Sequence, residues 1–327
     1  MKRTLLCLAL MLGLLGPVCA QRLVVAYVGA GSDVMPDMRL MTHIDYAFGH
    51  VNETFDGIRI SRPERLEAIV AAKGDVKVCL SIGGWGSGRF SEMAATEAGR
   101  KAFALDCARV IRQYNLDGID LDWEYPTSSA AGISSSPEDT ENFTLLMKEI
   151  RSAIGPDMLL TLASAASAKF IDFEAILPVI DWVNVMSYDM GRPPRHNAAL
   201  RRSPNAGFTM EGALERHLAA GIPKEKIVMG MPFYGHGNRK DYPDYVDYKD
   251  QKPPKEGLHE VWDDVAKIPY YADADGRMVL GFDNVRSIRA KCEFILSWGV
   301  LGGMYWEYSC DNEALDLSRT VAECLLK

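Results

Sequence analysis

The stretch Leu116-Asp117-Gly118-Ile119-Asp120-Leu121-Asp122-Trp123-Glu124-Tyr125-Pro126 places an acid at every second position from 120 to 124. Side chains on a β-strand alternate between faces, so Asp120, Asp122 and Glu124 share one face at intervals of ~7 Å. Ile119, Leu121 and Trp123 occupy the other face and suit packing against helices. A strand that is apolar toward helices and lined with acids on its other side belongs in a sheet covered on both faces. In a closed barrel the acids would point inward. Three carboxylates stacked in a low-dielectric interior cost on the order of several kcal/mol unless protons are shared or positive charge is supplied.

Outward from this segment, short apolar runs recur at 23–28, 44–48, 76–82, 118–123, 158–163, 182–186, 227–232 and 301–306. Helical patterns separate them at 63–72, 97–114, 137–154, 210–220, 285–298 and 312–326. Pro63 and Pro137 suit first-turn positions. Eight buried strands with interleaved helices predict an α/β fold, a (β/α)8 TIM barrel. A doubly wound sheet is the alternative, but Gly29, Ala30 and Gly31 do not complete a nucleotide-binding fingerprint after the first strand. Two connections are long. Residues 238–283, rich in Tyr, Asp, Lys and Pro, form a short insertion after the seventh strand. Residues 190–208 follow the sixth strand and carry Arg192, Arg195, Arg201 and Arg202. Both rise over the C-terminal face of a barrel, where function sits, although charge runs are usually solvated surface.

The chain has 327 residues, 48% hydrophobic and 24% charged. Those fractions exclude a disordered or fibrous chain. Residues 1–20 read as a signal peptide: Lys2 and Arg3, an apolar run over 5–15, then Val18 and Ala20 at −3 and −1 of a cleavage point at Ala20–Gln21. The expected product is a secreted or periplasmic protein, residues 21–327, with a single domain. Lipid anchoring through Cys19 is disfavoured, because Gly16, Pro17 and Val18 approach it poorly. Lys+Arg falls from 36 to 34 on loss of Lys2 and Arg3 against 44 Asp+Glu, a net charge of −10. That acidity argues against nucleic acid as partner. No later run is long enough to span a membrane. The five remaining cysteines, Cys79, Cys107, Cys292, Cys310 and Cys324, lack zinc-site or disulfide-framework spacing. A Cys310–Cys324 bridge stays open.

Three readings of the acid row compete: a satisfied hydrogen-bond network, a divalent cation site, and acid/base chemistry. Carboxylates do bind hard cations, but no His joins the row and the loop lacks the EF-hand order. Coupled carboxyls raise one another's proton affinity and leave one protonated near neutral pH as a general acid.

The row Asp117, Asp120, Asp122, Glu124 resembles the DxxDxDxE signature of family 18 glycoside hydrolases, the chitinase family. Ser81-Ile82-Gly83-Gly84-Trp85 looks like that family's SxGG segment, Met186-Ser187-Tyr188-Asp189 like its MxYD motif, Met231-Pro232-Phe233-Tyr234-Gly235 like its seventh-strand segment, and Trp306 like its last-strand tryptophan. The motifs fall in family order over nearly the whole chain after the leader.

The resemblance implies retaining cleavage of β-1,4 bonds at N-acetylglucosamine with no separate protein nucleophile. Glu124 would be the general acid, and Asp122 would orient and stabilise the substrate's acetamide. Asp120 would share a proton with Asp122, and Tyr188 would hold the acetamide oxygen. Asp189, Tyr234, Trp306, Met186, Gly84 and Trp85 would line the sugar site. Tyr27 and Phe48 could line the pocket as well, but plain core packing is the favoured reading of both. Asp117, in the opposite strand phase, reads as structural. No cofactor and no metal are implied, and the partner would be an N-acetylglucosamine-containing oligo- or polysaccharide met by a monomer. The insertion is about 46 residues, which is loop-sized, so a shallow cleft is expected. An endo-β-N-acetylglucosaminidase of N-glycan cores would share Asp122, Glu124 and Tyr188. A non-catalytic lectin on this scaffold would typically lack the catalytic Glu, and Glu124 is present.

Overall fold

The computed structural model describes residues 22–252 and 256–327. The expected leader, its cleavage point and Cys19 lie outside those residues. Eight strands form a closed parallel barrel: β1 (Leu23–Gly29), β2 (His43–Val51), β3 (Lys77–Gly83), β4 (Gly118–Asp122), β5 (Leu159–Ala165), β6 (Val183–Met186), β7 (Ile227–Pro232) and β8 (Gly302–Trp306). Each pairs in parallel with its successor, and β8 returns to β1 with Leu23 opposite Gly302. The order is that of a (β/α)8 barrel.

The helices are α1 (Pro63–Ala72), α2 (Phe90–Ala94), α3 (Glu97–Tyr114), α4 (Asp139–Ile154), α5 (Phe173–Ile176), α6 (Met210–Ala219), α7 (Val285–Trp298) and α8 (Asp316–Leu325). Their ends follow from local chemistry. Thr96 accepts from the Gly99 amide at the start of α3, and Asn115 ends it in the left-handed region at φ 51°. Asn284 and Ser287 form a reciprocal capping box on α7, and Gly299 ends that helix.

Two helices begin later than their patterns suggest. The Asp139 carboxylate accepts from the Ser136 and Thr127 amides, which holds residues 136–138 in a turn before α4. Asp311 accepts from the Ser318 amide at 2.8 Å and so caps α8 from outside, leaving 312–315 non-helical. The single-turn α2 and α5 are too short to leave a periodic signal.

The core lies mostly between strands and helices, where Trp123 stacks on Phe90 of α2 at 5.2 Å. A second cluster fills the barrel interior around Val25, Tyr27, Ala163, Val228 and Met304. Polar residues share that interior. Ser81 on β3, Asp120 on β4 and Thr161 on β5 sit side by side in register.

The connection after β7 is more ordered than a loop. It is a five-stranded antiparallel sheet in the order Val246–Asp247, Tyr234–Gly237, Met278–Gly281, Ile268–Ala272, His259–Asp263. Its first strand begins at Tyr234, ahead of the expected boundary at 238. Tyr242, Val246, Tyr271, Val279, Leu280 and Phe282 form its own small core. At its exit the Lys291 ammonium contacts both Asp283 oxygens at 2.6 and 2.7 Å, fully buried. All five described cysteines are free thiols. The Cys310–Cys324 bridge does not form: Cys310 faces Asp247 at 3.3 Å, and Cys324 faces Arg289.

Candidate active site

Strand alternation carries Asp120 and Asp122 inward at 0% and 4% exposure, and Glu124 follows at the mouth of β4. Four donors converge on Asp120. Its Oδ2 accepts from the Tyr27 hydroxyl at 2.9 Å and from Ser81 at 2.8 Å. Its Oδ1 accepts from Thr161 at 2.7 Å and the Asn184 amide at 3.2 Å. Hydrogens aimed at both oxygens occupy this carboxyl as a hydrogen-bond acceptor. The same Asn184 amide donates to Asp45 at 3.1 Å. Asp45 is a further buried carboxyl, fully enclosed beneath the row.

This column holds protons tightly. Burial raises Asp122 well above the carboxylate range, and the charges of Glu124, Asp120 and Asp45 add to it. Burial likewise raises Asp45, assisted by Asp120. Asp120 is raised by burial and held back by its hydrogen bonds. Glu124 is pushed up to about 7, first by burial and then by the charge of Asp189, against an opposing hydrogen bond from the Tyr125 hydroxyl. A carboxyl half-protonated near neutrality can both give and take a proton there. Asp122 Oδ1 is buried and has no hydrogen-bond partner among the described residues.

These carboxyls open into a cavity of about 440 Å³ at the C-terminal mouth of the barrel. Phe48, Met186, Tyr188, Asp189, Tyr234 and Trp306 line it together with Asp122 and Glu124. Trp306 stacks on Phe48 at 5.4 Å and 18°, which makes an aromatic floor. The Tyr188 hydroxyl donates to the Met304 sulfur at 3.9 Å. Trp85 stands on the rim, 64% exposed, edge-on to Tyr125.

Gly84 and Tyr27 are not part of this lining. Tyr27 is buried beneath the row, and its hydroxyl serves Asp120. Gly84 borders a neighbouring depression. A Cβ there would stand 2.5 Å from the Phe48 ring, and at Gly83 one would meet the Asp122 carbonyl at 1.9 Å. These glycines let β3 close onto Phe48 and the acid strand. Asp117 lies away from the cavity, held by Lys73 at 2.5 Å, Lys77 at 3.1 Å and the Val78 amide at 2.8 Å.

Four further lining residues were not identified from sequence: Tyr125, Arg192, His236 and Tyr245. Tyr125 adjoins the motif. His236 lies two positions beyond Tyr234, so strand alternation puts both on one face. Arg192 belongs to the arginine-bearing loop and donates to Asp244 at 3.0 Å. Tyr245 stacks on Tyr234 at 4.3 Å from across the insertion sheet. The Asp189 carboxylate accepts from Tyr234 at 2.9 Å and faces the His236 ring nitrogen at 2.6 Å.

The model of glycosyl hydrolases family 18 matches residues 23–311. Chitinase A1 of Niallia circulans is 33% identical over 320 residues, which cover 82% of this chain and 45% of that protein. Chitinase B of Serratia marcescens is 25% identical over 85% of this chain and 74% of its own length. The chain spans about half the length of the curated relatives it matches first, 45% in two of them. A family 18 N-acetylglucosaminidase from Paenibacillus barengoltzii superposes with a TM-score of 0.83 at 32% identity, covering 93% of this chain and all of that one. The Ostrinia furnacalis Group IV chitinase in complex with allosamidin superposes with a TM-score of 0.82 at 27% identity, over 93% of this chain and 98% of that one.

Proposed function

The chain belongs to glycosyl hydrolases family 18 and is a chitinase-like hydrolase, and from that premise we propose that it is a secreted retaining enzyme cleaving β-1,4 bonds at N-acetylglucosamine, with chitin or chitooligosaccharides as substrate. The observation that carries this reading is a cavity lined by Asp122, which has a buried, unpartnered oxygen, by Glu124, whose carboxyl is raised to about 7, and by Tyr188.

In the first step Glu124, as the acid, gives its proton to the glycosidic oxygen. The acetamide oxygen of the same sugar attacks the anomeric carbon as the C–O bond breaks, and an oxazolinium forms. Asp122 turns toward the acetamide, accepts its N–H and offsets the developing positive charge. Its proton balance is shared with Asp120, whose position the four donors fix. The Tyr188 hydroxyl aims the acetamide oxygen, which lowers the entropic part of the barrier. Trp306 and Phe48 form the apolar surface under the ring. In the second step the Glu124 carboxylate takes a proton from water as the water oxygen bonds to the anomeric carbon; the oxazolinium C–O bond to that carbon breaks, the acetamide is restored, and configuration is retained.

The relatives' names support the substrate class: chitinases, an N-acetylglucosaminidase, and a chitinase bound to allosamidin. The signal-peptide pattern of residues 1–20 supports secretion. The test is one assay with two substrates, graded chitooligosaccharides beside an N-glycosylated protein. Release of short N-acetylglucosamine oligomers or monomers from the first alone is the expected result. Glycan release from the glycoprotein, with chitooligosaccharides untouched, would replace this reading with the N-glycan one.

A further inference from the structure

His236 is 3% exposed and lines the catalytic cavity, yet the proposed steps do not use it. Both its ring nitrogens face acceptors. Nδ1 lies 2.5 Å from the Asp244 carbonyl oxygen, and Nε2 lies 2.6 Å from Asp189 Oδ1. A carbonyl accepts only, so Nδ1 carries a hydrogen. A neutral imidazole then has a lone pair at Nε2, which an ionised carboxylate at 2.6 Å would repel. A proton therefore lies between Nε2 and Oδ1, and the His236–Asp189 pair is neutral as a unit.

The surroundings assign that charge balance to Asp189. Asp244 lies 3.8 Å from Nδ1, but it is already paired with Arg192 at 3.0 Å and Arg239 at 2.8 Å. The remaining ring neighbour is Tyr234, edge-on at 5.6 Å, whose hydroxyl goes to Asp189. Asp189 has no other cationic partner among the described residues. Left unbalanced, its charge would raise Glu124, Tyr188 and Tyr125. Tyr234 and His236 both engage Oδ1, so Oδ2 is left to the cavity.

We propose that His236 is a positioning residue for the hydrolytic site: it pins Asp189 by one oxygen, leaves the other for the sugar, and shields Glu124 from the Asp189 charge. The proposal rests on the reaction assigned above. Family motifs did not flag this residue, and its signal is geometric.

The test is the pH profile of kcat/KM on a chitooligosaccharide. His236→Asn keeps a donor toward the Asp244 carbonyl and removes both the donor and the charge toward Asp189. His236→Gln keeps a donor toward Asp189 without the charge. Asparagine is expected to cost roughly 10- to 100-fold in kcat/KM. Both variants are expected to move the alkaline limb upward by at least about 0.5 pH unit, because an unbalanced Asp189 strengthens proton binding at Glu124. Adding Asp189→Asn to His236→Asn removes the charge to be balanced and returns the limb to its original position. A purely structural role would lower the rate and leave the limb where it was in all three proteins. That result, with Glu124→Gln still inactive, would overturn this inference and leave the reaction standing. Full turnover by Glu124→Gln would instead overturn the reaction. Thermal melts on both single variants guard against misfolding, and the glutamine protein carries the test if asparagine unfolds.

Discussion

Replacing Asp120 by alanine removes the acceptor of four buried donors, from Tyr27, Ser81, Thr161 and Asn184, at 2.7–3.2 Å. All four donor residues are at 0–1% exposure, so water does not reach them. A buried donor left unsatisfied costs about 1–3 kcal/mol. Two opposing effects reduce the total. The three hydroxyls can turn toward other acceptors, and the variant no longer bears the desolvation that raises Asp120 itself. A net loss of about 3 kcal/mol follows, at the lower end of the range for breaking a buried charged network. For roughly 300 ordered residues the unfolding entropy is about 0.6 kcal/mol/K, so Tm falls by roughly 5 °C. Asp120→Asn keeps the volume and one acceptor, and its melting temperature should fall less. Both variants should lose at least ~10-fold in kcat, because neither offers Asp122 a carboxyl with which to share a proton. Calorimetry and steady-state rates on soluble chitooligosaccharides measure the two effects separately. An alanine variant melting within about 1 °C of the parent, or an asparagine variant with unchanged kcat, would refute the reasoning.

Glu124 acts first as an acid, so kcat/KM should fall as pH rises through about 7, where burial places its carboxyl. At its ordinary value of 4.5 only about 0.3% of that acid would be protonated at pH 7, so an alkaline limb below pH 6 would contradict the burial argument. Trp306→Ala removes the floor that stacks on Phe48, and kcat/KM should drop by roughly 10- to 50-fold, measured against the parent on the same oligosaccharide. Lys291→Ala leaves Asp283 buried without its cation, which should cost about 3–5 kcal/mol in a denaturant melt, and Asp283→Asn in the same chain should recover part of that.

The barrel was legible because its strands are near-continuous apolar runs and α1, α3 and α7 carry clean helical periodicity between matching boundaries. The acid row was legible because three carboxyls at spacing two leave no apolar alternative for that face. What holds the row was not. Ser81, Thr161, Asn184 and Asp45 come from four other strands, and only the closed sheet gathers them: Ser81 and Thr161 in register with Asp120, and Asp45 below it through the Asn184 amide. No linear spacing encodes that. The sheet after β7 was read as a loop because its strands are two to five residues long among Tyr, Asp and Lys. Tyr234 was assigned to the β7 segment, although the chain leaves the barrel after Pro232. His236 and Tyr245 went unseen for the same reason, since both enter the cavity from that sheet. Tyr27 was legible as a strand-end aromatic, but its hydroxyl contact with Asp120, which removes it from the pocket wall, depends on a residue 93 positions away.

In the reaction proposed above, Glu124 transfers the proton that starts glycosidic cleavage. The most direct measurement is the Glu124→Gln protein, assayed for turnover of a soluble chitooligosaccharide and, by calorimetric titration, for its binding. Glutamine keeps the shape and the neutral charge of the protonated acid but has no proton to give. The expected result is a loss of at least ~10²-fold in kcat with binding retained. Turnover at the parent's rate, with the substitution verified by mass, would contradict the account.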